Sequence, residues 1–180
     1  MNKTELQKLR FPVGEYKPAE NISADDIKNY ISVIEHFPEK LRDAVEKLSE
    51  EQVDTRYRPE GWTVKQLIHH LADSHMNSYI RFKLTLTEDK PTIKPYFEDR
   101  WAELPDGKSA PAEISLSLLD SLHKRWVLML KNLSSEQLKR TFYHPEYKKE
   151  VPLDELIHLY AWHCDHHLAH IVKLKERMKW

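Results

Sequence analysis

Apolar residues recur every three to four positions along four long stretches of this chain, the period of helices packed against a common core. The first stretch carries Ile27, Tyr30, Ile31, Ile34, Phe37, Leu41, Val45 and Leu48, with Ser23 placed to cap it and Asp25 and Asp26 in its first turn. Pro38 falls inside it and is expected to kink or divide the helix, since proline has no amide hydrogen and crowds the preceding turn. The second stretch runs from about Val64 to Thr87 behind a capping box of Thr63 and Gln66, with Leu67, Ile68, Leu71, Ala72, Phe82 and Leu86 on its apolar side. The third covers about Ala112 to Leu133 through Ile114, Leu118, Leu119, Leu122, Trp126, Met129 and Leu130. The fourth opens at Pro152, with Asp154 and Glu155 in its first turn.

The connections read as differently as the helices read alike. Residues 88 to 110 hold Pro91, Pro95, Pro105 and Gly107, which predicts a long crossover with one helical turn around Arg100 to Glu103. Ser49 to Gln52 resembles a capping box for one short turn, Arg56 to Gly61 reads as loop, and Phe142 to Val151 as a small hairpin or loop. Residues 1–22, with Pro12, Gly14 and Pro18, predict an extended arm whose aromatics dock on the core. The expectation is an all-α chain: one domain over residues 1–180, a four-helix bundle with a long crossover between its second and third helices. Three glycines in 180 residues favour the same class, because all-β folds use glycine in their turns.

Charge and cysteine narrow the partners. With 28 Lys plus Arg against 29 Asp plus Glu, no net positive field is present to hold nucleic acid or an anionic membrane. No stretch reaches the roughly 20 apolar residues of a membrane span, and the start lacks a signal-peptide core. One cysteine, Cys164, excludes an intrachain disulfide framework and a cysteine-rich zinc site. A cytoplasmic protein is expected, and any metal in it must rest on histidine.

Histidine is what the chain concentrates. Trp162 to His170 holds four of the eleven histidines, and residues four apart on a helix share a face, so His163 with His167 and His166 with His170 form two pairs. On the helical wheel Leu153, Leu156, Tyr160, Cys164 and Ile171 point one way. His163 and His167 lie at the edge of that face, and His166 and His170 point toward water. A third ligand from the second helix would complete a His₃ site with an open position, and His69, His70 and His75 are the candidates. The wheel places His75 nearer the apolar centre than His70.

Gly61-Trp62-Thr63-Val64-Lys65-Gln66-Leu67-Ile68-His69-His70-Leu71-Ala72-Asp73-Ser74-His75, followed by Tyr160 to His170, resembles the DinB-like superfamily, and most of all its YfiT-type branch. The resemblance runs from the Pro12 to Tyr16 arm to the last helix. It implies a metal-dependent hydrolase related to bacillithiol S-transferases, with the first metal-binding histidine eight residues after the tryptophan, at His70, and the later His-x-x-x-His at His163 and His167. It also implies a homodimer, and it implies no DNA binding.

The ligand set suits zinc, then nickel. An open position serves thiol transfer, by turning a coordinated thiol into a thiolate that attacks an electrophile, or hydrolysis, by activating water. The bacillithiol relationship favours transfer from a small-molecule thiol, and so does the absence of the Glu that follows the first histidine of a His-Glu-x-x-His helix, since Cys164 stands there. The third expectation is a non-catalytic, metal-binding stress-response protein. Asp73 and Asp165 are candidates to orient ligand imidazoles or are solvated helix carboxylates, and His166 is an outer residue that is a further candidate for that orienting role. Asp73, Asp165 or a crossover residue is available as a base. Cys164 reads as packing, Trp62, Trp126 and Trp162 as pocket lining or core, and Arg81, Lys83 and Arg125 as anion-holding or solvated.

Overall fold

The computed structural model describes residues 3–180, and its bundle is made of α2 (Ala24–Val45), α4 (Val64–Thr87), α7 (Ala112–Leu130) and α9 (Leu153–Met178). Between them lie α3 (Glu50–Val53), α5 (Glu98–Trp101), α6 (Pro105–Ser109), α8 (Ser135–Leu138) and one hairpin of β1 (Thr141–His144) and β2 (Lys149–Pro152). The hairpin is antiparallel, pairing Thr141 with Pro152 and His144 with Lys149. In α2, α3 and α4 the serine or threonine cap accepts from the amide three residues on, and the Asp or Gln there returns the bond.

α2 packs on α9 and α7, and α4 packs on α7 and α9. Helices consecutive in the bundle, α2 with α4 and α7 with α9, therefore sit on the diagonals. The long link over residues 88–111 joins neighbours, α4 and α7, and the two shorter links take the diagonal steps. Trp126, Phe37, Phe82 and Phe142 are the largest side chains sealed in the core. Arg42 ties α2 to α7 by hydrogen bonds to Glu113 at 2.8 and 3.1 Å and to Asp120 at 2.9 Å. No described helix is long and apolar enough to cross a membrane.

Four expectations change. The arm is extended only beyond its start, because Lys3 to Arg10 form a helix, α1, and residues 1–2 lie outside the described residues. Pro38 does not divide α2: the Ile34 carbonyl, which proline leaves without an amide partner, accepts from His123 Nδ1 at 2.7 Å. α7 ends at Leu130, three residues early, since Ser134 caps α8 immediately afterwards. The helical turn of the link starts at Glu98 rather than Arg100, and Pro105 opens a second turn.

Candidate metal centre

Thr63 caps α4, and two turns later the helix delivers His70 to its inner side, where it meets His163 and His167 of α9. Ring centroids stand 5.6 Å apart for His70 and His163, 5.1 Å for His70 and His167, and 4.3 Å for His163 and His167. One nitrogen from each lies within 4.8 Å of the others, the spacing of ligands around one ion. His70 and His167 are buried and His163 partly so. Burial, then neighbouring histidines, lowers the pKa of all three, to about 4 for His70 and well below the usual value for His163 and His167. Neutral imidazoles are the protonation state a metal requires.

Two details fit an ion. His167 Nδ1 is sealed from solvent with no hydrogen-bond partner, a costly state for a buried polar atom. His163 Nδ1 is engaged by His75 Nε2 at 3.2 Å, which leaves its Nε2 to face elsewhere. The site lines a pocket of 320 Å³ with Trp62, Trp162, Tyr57, Arg58, Glu60, Glu98 and Asp99.

The other sequence candidates fall variously. His166 and His170 do not face water. They are 8% and 4% exposed, with Phe11 of the arm against His166 and Tyr57 against His170, and their Nε2 atoms lie 3.1 Å apart. The wheel could not see this cover because it comes from outside the bundle. His166, His167 and His170 form a second group with metal-compatible spacing. Asp165 is exposed and borders a different depression with Val13 and Leu168. Asp73 is partly buried, and burial, then Asp106, pushes its carboxyl up to about 6. Among the described residues, Asp73, Asp165 and His166 make no hydrogen bond to His70, His163 or His167. Cys164 is fully buried, and burial raises its thiol well above the usual value, so it packs rather than reacts. Trp126 belongs to the core, and Lys83 and Arg125 sit over the Tyr79 ring.

Sequence reasoning missed Arg10, Arg58, Glu60, Glu98 and Asp99 as lining, because they reach the pocket from α1, a loop and the link, where no periodicity points inward. It also missed the service His75 gives His163, although the wheel's preference for His75 was the available signal: that residue is wholly buried.

The comparisons agree with this architecture. The model of the DinB superfamily matches residues 34–171. The chain is 53% identical over 172 residues to a protein of Bacillus subtilis (strain 168) named "Putative metal-dependent hydrolase YfiT", covering 96% of this chain and 97% of that one. It is 52% identical over 175 residues to a protein of like name from Bacillus cereus (strain B4264), covering 97% and 100%. The solved structure of YfiT from Bacillus subtilis, described as having "an unusual four-helix bundle topology", superposes with a TM-score of 0.94 over 96% of this chain and 99% of that one. A mycothiol-dependent maleylpyruvate isomerase shares the fold at 14% identity and a TM-score of 0.64, covering 81% of this chain and 60% of its own. Matched by the family model over most of its length, and by full-length relatives at half identity or more, the chain belongs to the DinB superfamily.

Proposed function

We propose that this chain is a metal-dependent hydrolase in which His70, His163 and His167 hold one divalent ion, zinc first and nickel next. The observation that carries the reading is the meeting of three desolvated imidazoles from two helices, one with an orphaned buried nitrogen, beside carboxylates in one pocket. Thiol transfer, the first expectation from the sequence, finds nothing in the comparisons to support it, whereas hydrolysis is what the relatives' names state.

A bound divalent ion supplies Lewis acidity and lowers the pKa of water toward about 7. The chain supplies the rest. Trp62 and Trp162 wall the pocket, and Arg58 gives it a cation for an anionic or carbonyl-bearing part of a substrate. A base is available on the link: Glu98 lines the same pocket, and desolvation, then Asp99 and Glu146, pushes its carboxyl above the usual carboxylate range. A homodimer is the assembly that goes with this reading, and gel filtration with light scattering tests it.

The test is a screen of ester and amide substrates with untagged, zinc-resupplied protein. Turnover that is lost on chelation and restored by zinc supports the reading. Metal-dependent conjugation of a small thiol, with no hydrolysis of any substrate, would replace it with transfer.

A further inference from the structure

A row of buried imidazoles leads from the metal centre to the backbone of α2. His163 Nδ1 stands 3.2 Å from His75 Nε2, His75 Nδ1 2.7 Å from His123 Nε2, and His123 Nδ1 2.7 Å from the carbonyl oxygen of Ile34. The last acceptor sets the direction of every other bond. A carbonyl only accepts, so His123 Nδ1 carries the hydrogen, and in a neutral ring its Nε2 is then a lone pair. His75 Nδ1 must donate to that lone pair, His75 Nε2 must accept, and His163 Nδ1 must donate. What is left on His163 is Nε2 without a hydrogen.

The surroundings keep the row dry and uncharged. His75 is wholly buried and His123 2% exposed, and the rings of Phe37, Trp126 and Tyr160 enclose His75. Burial lowers the pKa of His123 to about 4. The terminal acceptor is written into the sequence: Ile34 would ordinarily receive the amide of residue 38, and residue 38 is proline.

We propose that His123 and His75 are positioning residues that lock His163 in its Nδ1–H tautomer, presenting Nε2 as the metal-binding nitrogen, with Pro38 freeing the carbonyl that anchors the row. This rests on the ligand role given to His163 above. The hydrogen bond made by one ring nitrogen decides which state the other adopts, and loss of such a partner typically weakens metal binding 10–100-fold.

The test uses the full-length, untagged protein, isotope-labelled at the imidazole nitrogens, before and after zinc is added. Long-range proton–nitrogen spectra of the zinc-free protein are expected to show His163, His75 and His123 all as Nδ1–H. An Nε2–H form at any of the three overturns the proposal. A second arm compares His123→Phe, which removes the acceptor for His75, with His123→Gln, whose side-chain oxygen can replace it. The Phe variant is expected to bind zinc roughly 10–100-fold more weakly and to show Nε2–H at His163, with Gln restoring both. Native affinity and an unchanged His163 spectrum in folded His123→Phe overturn the proposal. Should that variant fail to fold, the spectra of the native chain decide alone. The two failures are distinct: a wrong tautomer with zinc bound one to one sinks only the row, while three Nδ1–H rings in a protein that takes up no zinc sinks the metal-centre reading and the positioning role with it.

Discussion

The indole of Trp62 lies 4.6 Å from the imidazole of His70, centroid to centroid. The two residues are eight apart with the helix cap Thr63 between them, so the spacing of the Trp-Thr motif is the distance that lets the residue before a helix reach back onto its second turn. The ring both shields His70 and restricts its rotation. Trp62→Ala is therefore expected to weaken zinc binding about tenfold, within the range for lost support of a ligand, and Trp62→Phe to recover most of it. Competition against a zinc chelator measures both, and equal affinity in the Ala variant and the native protein would remove Trp62 from the account.

Glu98 is the carboxylate to test as base. Glu98→Gln keeps the shape and removes the proton acceptor, so kcat/KM on a cleaved substrate should fall about 10²–10⁴-fold with metal content unchanged. The acid limb of the pH–rate profile should become shallower, losing the step that belongs to this carboxyl, since the raised carboxyl loses base function as pH falls. A Gln variant with native rate and native profile assigns the base elsewhere.

Acid should unfold the metal-free protein through its histidines. His70 and His123 have folded-state values lowered from 6.5 to about 4, mainly by burial, so between those limits the unfolded chain binds more protons. Their contribution is fully present above about pH 6.5 and is lost as pH falls toward the folded-state values. From pH 7 to pH 5 a buried histidine such as His123 should cost about 2 kcal/mol of stability. Urea midpoints at the two pH values measure the drop, which should shrink in His123→Phe; coincident midpoints would show that these rings are not held neutral.

What could be read from the sequence was whatever a helix repeats. The apolar spacing placed α4 at Val64 to Thr87, and the capping boxes placed its start and that of α3, because both signals are local. The pairing of His163 with His167 follows from helix geometry alone. The choice of His70 comes from family resemblance, since the wheel inclines to His75, and the structure puts both rings beside His163. The burial of His166 and His170 was not legible, because it depends on Phe11 and Tyr57 arriving from segments without periodicity. Pro38 was legible as an interruption but not as an opportunity: only the fold shows His123 taking the carbonyl that proline leaves.

Metal content per chain tests the centre most directly. Untagged protein, stripped, resupplied with zinc and dialysed, should carry about one ion per chain, and His70→Ala and His167→Ala should each lose it while the helical spectrum stays native. Native protein that holds well below one ion per chain, or folded variants that keep theirs, would contradict the assignment of His70, His163 and His167 as the metal site.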